Sequence, residues 1–174
     1  NSKGEWLEVY YPKSLINPSE SVISKAKELI GYKNGNFTSS VPKELLVELN
    51  DLIKDFSKLS DEKSVLVIVD SEEPPNDVPS SYLRLHLLSH RLVKPNEINL
   101  DGIFSLLPTV AWTSDGPKDP KELNDILSRK RINNETLHIH SLDKFPCMTD
   151  YVIPEGVRIA DSHRVRLGAY LGEG

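Results

Sequence analysis

Residues 1–145 read as a small α/β domain, and residues 146–174 as the first coil of a left-handed parallel β-helix, cut short. Two observations carry this reading. Helical and strand-like stretches alternate along the first 145 residues, the order of an α/β fold. After Pro146 the aliphatics Ile153, Ile159, Val165 and Leu171 fall six apart. Over the same stretch Gly156, Gly168, Gly172 and Gly174 follow a glycine-free run from Lys118 to Glu155.

The elements follow in order. In NPSESV (residues 17–22), Ser19 or Ser21 is placed to cap a helix whose apolar set is Val22, Ile23, Ala26, Leu29 and Ile30. Gly31 is a natural stop, and residues 31–40 read as a loop. Pro42 opens the clearest amphipathic helix, with Leu45, Leu46, Leu49, Leu52, Ile53 and Phe56 on one stripe. Ser64–Asp70 is a β-branched run, apolar on both faces and too short for a helix, which predicts a buried central strand. The acidic, proline-rich SEEPPNDVP (residues 71–79) is a loop. A helix follows over Ser80–Leu92, with Leu85, Leu88 and Leu92 facing in. Thr109–Thr113 reads as a strand and SDGP (residues 114–117) as a turn. Asp119-Pro120 opens a helix with Leu123, Ile126 and Leu127 as its apolar side. Thr136–His140 alternates Leu137 and Ile139 against His138 and His140, the pattern of a half-buried strand.

The closing hexads can be written IPEGVR, IADSHR, VRLGAY, LGEG. In a left-handed β-helix each hexad forms one side of a triangular coil, with its first residue inward. Ala160 and Gly172 suit the small second position, and Val157 and Ala169 the fifth. Val, Ile and Leu number 48 of 174 residues, so four of them at a fixed spacing arise by chance about once per chain of this length, weighed against the repeat rule. The small residues strengthen the pattern; a terminal hairpin with glycine turns is the alternative. A single coil cannot bury its inner side chains. Gly174 is therefore expected to be a cut, with further coils beyond it. Met148 is the sole methionine, so the N-terminus is expected to be a trimmed one.

Composition narrows the function. With 21 Lys plus Arg against 26 Asp plus Glu, the net charge is −5, which disfavours general nucleic-acid binding. One cysteine gives no internal disulfide and fits a reducing compartment. No apolar run is long enough for a membrane span, and the first residues lack a signal-peptide pattern.

Two stretches carry a family likeness: LRLHLLSHRLVKPNEINLDGIFSLLPTVAWTSDGP (residues 83–117) and DKFPCMTDYVIPEGVRIADSHRVRLGAYLGEG (residues 143–174). Both resemble tetrahydrodipicolinate N-succinyltransferase, in its actinobacterial and pseudomonad branch. The likeness is most specific over Phe145–Gly174, while residues 1–80 share only the general layout. The resemblance implies a cytoplasmic homotrimer of lysine and diaminopimelate biosynthesis, built from hexapeptide repeats. It would move succinyl from succinyl-CoA to the amino group of opened tetrahydrodipicolinate (2-amino-6-oxopimelate). The attacking amine needs a base, and the thioester oxygen needs donors as it gains charge. The resemblance places those groups, with the CoA site, in coils beyond Gly174. No catalytic or substrate-binding residue is expected in this chain, and the chain alone is expected to be inactive, with a capping and trimer-contact role. Other readings stay open: a non-enzymatic α/β interaction domain with a flexible tail, or a hexapeptide acyltransferase with another acceptor such as a sugar amine.

Some relatives place an acidic residue just before RVRLGA, where it helps hold Mg²⁺ on the trimer axis. Here that position is His163, a poor ligand for an oxygen-seeking ion, and a solvated or intersubunit role competes with metal. His86 and His90, four apart on a helix, have zinc-gripping spacing but no further ligand nearby, so a solvent-facing or capping role is expected. His138 and His140 are expected on an exposed strand face. Cys147 has no basic or imidazole neighbour in sequence and is not expected to be a nucleophile. Arg129, Lys130 and Arg131 suit the C-terminal end of a helix dipole, with CoA phosphates as a second use. Asp70–Glu73 reads as a solvated acidic loop. No phosphate loop or dinucleotide fingerprint is present.

Overall fold

The computed structural model describes residues 1–12, 14–42 and 64–173. The helix expected over Leu45–Phe56 lies outside the described residues. The first helix, α1 (Glu20–Ile30), forms where the apolar spacing predicts it. Ser19 occupies the N-cap position, but its hydroxyl shares a hydrogen bond with the Ser21 hydroxyl (2.9 Å) rather than with the helix backbone. Gly31 ends the helix at φ +72°, a conformation glycine adopts without Cβ strain, and its amide donates to the Ala26 carbonyl.

Two strands follow, β1 (Phe37–Ser40) and β2 (Val65–Ile68). They pair antiparallel from Phe37 opposite Ile68 to Ser40 opposite Val65. This corrects two expectations. Part of the 31–40 stretch is a strand, built from the polar FTSS run that carries no apolar alternation. SVLVIVD is not a buried central strand: among the described residues it belongs to a two-stranded sheet, and Val65–Ile68 are all half-buried.

The organising element is α2 (Val78–Ser89). Asp77 and Ser80 form a capping box in which the Asp77 carboxylate accepts from the Ser80 amide (2.7 Å) and the Ser80 hydroxyl accepts from the Asp77 amide (3.2 Å). Every residue from Pro79 to Ser89 is buried. A single apolar stripe of Leu85, Leu88 and Leu92 therefore understates this helix, and Leu92 lies past its end, exposed. Burial on all sides is tolerated because its polar groups are satisfied. The Arg84 guanidinium, fully buried, donates to the carbonyls of Ser80, Asp70, Glu73 and Asn99 and to the Asn36 side chain, at 2.8–3.2 Å. One side chain thus ties the 70–73 loop, the residue before β1 and the 99 turn to α2. The acidic loop is partly organised by this arginine and is not only a solvated stretch.

A short helix, α3 (Ile103–Leu106), leads into a second sheet. Its strands β3 (Val110–Thr113), β4 (Gly116–Lys118) and β5 (Ile139–Asp143) lie in the order β4-β3-β5, all antiparallel. The central β3 is buried along its whole length, within the predicted 109–113 stretch. Gly116 and Pro117, read as turn residues, begin an edge strand. Helix α4 (Leu123–Ile132) starts after a turn over Asp119–Glu122. It packs Leu123, Ile126 and Leu127 against Ala111 and Leu137, as its apolar side predicts.

Strand β5 is shifted from the predicted 136–140. Trp112 pairs with Ser141 and Thr113 with Ile139, so His140 is the extra residue of a bulge. His138 precedes the strand, and both histidines are exposed, as the alternation predicts. Ile139, expected inside with Leu137, is exposed instead. No described helix is long and apolar enough to cross a membrane.

Candidate functional site

The closing segment lies against the outer end of α2, and this seat is the candidate site. Met148 and Leu167 are fully buried and join the core cluster of Tyr82, Leu85 and Leu88. Val152 is buried with them, and Ile159, Val165, Ala169 and Leu171 pack on that cluster from its rim. Two backbone hydrogen bonds close the entry: the Met148 amide donates to Val165 O and the Leu167 amide to Pro146 O, each at 2.9 Å. They flank an isolated antiparallel bridge between Cys147 and Arg166.

Ser89, at the last turn of α2, holds the segment from both sides. Its hydroxyl accepts from the Gly168 amide (2.8 Å) and donates to the Ala169 carbonyl (3.1 Å). Gly168 has φ +99°, and a Cβ there would lie 2.5 Å from Leu85 Cδ2. Only glycine permits this approach of the segment to the helix. Arg91, just beyond α2, donates to the Glu155 carbonyl and pairs with the Glu173 carboxylate at 3.7 Å. A Cβ on Gly156 would lie 3.2 Å from Glu173 Cγ. The chain therefore returns to the same place between Glu155 and Glu173, eighteen positions on.

Within residues 153–173 there is no named strand, only a 3₁₀ turn at Ser162–Arg164. The segment is not a regular terminal hairpin. The hexad reading is met unevenly: Ile159, Val165 and Leu171 are half-buried, whereas Ile153 is 73% exposed. Leu167, outside the first-position series, is the most buried aliphatic of the segment.

The singled-out side chains now have places. His163 is exposed in the 3₁₀ turn, where its backbone amide donates to Asp161 Oδ1 at 3.0 Å. No group of three or more His, Cys, Asp or Glu among the described residues is arranged to hold a metal ion. His163 itself offers a nitrogen, whereas Mg²⁺ prefers several oxygens in octahedral array.

His86 is neither solvent-facing nor a cap. It is fully buried, its Nδ1 lies 2.8 Å from the Tyr82 carbonyl, and its Nε2 faces the Tyr11 amide at 3.4 Å. These partners place the proton on Nδ1 and leave Nε2 as acceptor. Burial pushes its pKa down to about 4, so the ring is neutral. His90 is the C-cap of α2, with its ring stacked 6.3 Å from His86.

Cys147 does have a basic neighbour, one that sequence distance hid. Arg166 Nη1 lies 3.1 Å from its Sγ, while Arg166 Nε pairs with Asp143 at 3.1 Å. Lys130, the middle residue of the basic run, is held between Asp115 (2.8 Å) and Glu135 (2.6 Å). The sequence reading missed the anchoring residues Ser89, Arg91 and Arg166. The one available signal was Gly168 inside VRLGAY.

Comparison with known proteins bears on all of this. The family model for the tetrahydrodipicolinate N-succinyltransferase N-terminal region matches residues 19–105, and the model for its middle region matches residues 107–146. The likeness thus reaches well into the first 80 residues, further than the motifs alone indicate. A 2,3,4,5-tetrahydropyridine-2,6-dicarboxylate N-succinyltransferase of Pseudomonas paraeruginosa is 44% identical over 184 residues, covering 100% of this chain and 54% of the relative. The Vibrio cholerae protein of the same description is 38% identical with the same coverage. That of Salinispora tropica is 54% identical over 63% of this chain and 34% of its own length. In structure, the chain superposes on a putative 2,3,4,5-tetrahydropyridine-2-carboxylate N-succinyltransferase of Campylobacter jejuni with TM-score 0.74 and 28% identity, over 94% of this chain and 49% of that one. The chain spans about half the length of the curated relatives that it matches along its whole length. On these matches, the chain belongs to the tetrahydrodipicolinate N-succinyltransferase family.

Proposed function

We propose that this chain serves as the N-terminal half of an N-succinyltransferase. That enzyme moves succinyl from succinyl-CoA to the amino group of opened tetrahydrodipicolinate, on the route to lysine and diaminopimelate in the cytoplasm. Residues 1–145 form its α/β domain, and residues 146–174 begin a left-handed β-helix. The enzyme works as a homotrimer. No base or oxyanion donor is assigned within residues 1–174, and those groups belong to the half of the relatives that this chain does not span. The role of the present residues is to seat the first coil and cover its open end, so that later coils stack on a fixed template.

The observation that supports this reading best is the return of the chain at Glu155 and Glu173, both gathered by Arg91. Three sides of six residues make one turn of a triangular coil, so an eighteen-residue return is the spacing that such a coil requires. The half-buried Ile159, Val165 and Leu171 suit an interior left open for further layers.

The test is a chimera in which this chain is followed by the C-terminal half of the Pseudomonas paraeruginosa relative. The chimera is expected to release CoA from succinyl-CoA when tetrahydrodipicolinate is supplied, and the chain alone is expected not to. Turnover with an amino sugar but not with tetrahydrodipicolinate would assign another acceptor. A chimera that folds as a trimer yet turns over neither would overturn the proposal.

A further inference from the structure

The N-terminal segment is strapped across α2 by groups that meet at one buried ring. The Tyr11 amide donates to His86 Nε2, the Tyr11 hydroxyl donates to the Pro79 carbonyl (2.8 Å), and the Tyr82 hydroxyl donates to Leu7 O (3.4 Å). The Tyr151 hydroxyl donates to the Glu8 carboxylate. Around the His86 ring stand Tyr11 at 5.3 Å, Tyr151 at 5.6 Å, Tyr10 at 6.0 Å, His90 at 6.3 Å and Tyr82 at 6.5 Å, centroid to centroid. Glu8 acts on Tyr82 and Tyr151, Asp150 on Tyr151 and Asp77 on Tyr11, while His90, itself titratable, faces the His86 ring and opposes its charging. Among the described residues, the hydrogen-bond partners of the imidazole are the Tyr11 amide and the Tyr82 carbonyl.

We infer that His86 is an acid-sensitive latch: its protonation releases the strap of residues 7–11 from α2 while the rest of the fold stays closed. The reason is geometric. A protonated ring carries N–H groups at both nitrogens. Nε2–H would then point at the Tyr11 N–H, donor against donor, at a ring that is fully buried. Nδ1 keeps its bond to the Tyr82 carbonyl on the same helix, so the ring stays with α2. The group that can leave is the strap, which is held elsewhere by neutral hydrogen bonds, by contacts of Glu8 and by the burial of Val9 and Tyr11 at the edge of the core cluster. Opening lets water reach the ring, where its affinity for a proton returns to the ordinary value.

The sign follows from linkage. The closed state binds the proton weakly and the open state binds it normally, so opening gains as pH falls below about 6.5. With a closed-state pKa of about 4, the open population rises by up to about tenfold per pH unit, reaching about 150-fold at pH 4 and a limit of about 300-fold below it.

The experiment is amide hydrogen exchange on this chain between pH 6.5 and 4, corrected for intrinsic rates. Protection at the Tyr11 amide is expected to fall about tenfold per unit, while protection at Leu88 and Val110 falls less. His86→Gln, which can still donate to Tyr82 and accept from Tyr11, is expected to flatten that slope. Glu8→Gln is expected to keep it, which separates the carboxylate from the ring. Should His86→Gln fail to fold, the wild-type comparison decides. Strap amides that keep a flat protection profile, or that lose protection only in step with Leu88 and Val110, would overturn the inference. So would an unchanged slope in His86→Gln.

Discussion

Replacing Gly168 by alanine probes the seat of the closing segment at its tightest point. The backbone there has φ +99°, and the new Cβ would sit 2.5 Å from Leu85 Cδ2. A non-glycine residue held at such a φ costs about 1–3 kcal/mol. Forcing a methyl group into a filled interior costs about 1–3 kcal/mol more, and Leu85 is itself buried in the core with little freedom to turn aside. The expected loss is about 2–6 kcal/mol, a fall in Tm of about 4–24 °C for a chain of this size. The assay is urea unfolding followed by far-ultraviolet circular dichroism, with thermal melts alongside. Gly172→Ala is the control, since a Cβ there meets open space and no left-handed backbone is required; it should change stability by less than about 0.5 kcal/mol. Leu85→Ala removes the obstructing methyl group. The double variant should therefore lose about 1–2 kcal/mol less than the two single losses combined. If Gly168→Ala unfolds with the Gly172→Ala midpoint, the segment is not seated on Leu85 and the reasoning fails.

Other outcomes follow from the same contacts. Ser89→Ala should cost about 1–2 kcal/mol by urea unfolding, because both the Gly168 amide and the Ala169 carbonyl lose their partner. Arg84→Lys should cost at least about 2 kcal/mol, since an ammonium cannot reach the carbonyls that the guanidinium fork spans. Asp77→Ala should cost about 1 kcal/mol through loss of the capping box. Global stability should also depend on pH through His86. The unfolded chain takes up the proton near pH 6.5 and the folded chain only near 4, so this contribution is whole above about 6.5 and is lost as pH falls toward 4. It is on the order of 3 kcal/mol, and His86→Gln should remove that part of the pH dependence.

What could be read from the sequence was what local pattern encodes. Helix α1 announces itself through Val22, Ile23, Ala26 and a closing Gly31. Helix α4 does so through Leu123, Ile126 and Leu127. Strand β3 falls in the stretch just before the SDGP turn, where the sequence places a strand. What escaped depends on partners far along the chain. FTSS has no strand signature and becomes one by pairing with the aliphatic β2. Arg84, His86 and Ser89 look like the wet side of a helix, yet each is buried because a loop, a strap or a tail brings it a partner. The bulge at His140 shifts β5 and turns Ile139 outward. The six-residue period located the closing segment, but its phase did not identify Leu167 as the buried anchor. The pairing of Cys147 with Arg166 spans nineteen positions that no local pattern connects.

The most direct check on the whole account is a set of proton–proton distances measured by NMR in the chain itself. A coil seated on α2 requires nuclear Overhauser contacts from the Leu85 methyl groups to Gly168 Hα, and from Gly156 Hα to the Glu173 side chain, in the same sample. Both sets are expected. A spectrum that gives sharp, contact-free signals for residues 153–173, or that places Glu173 away from Gly156, would contradict the account.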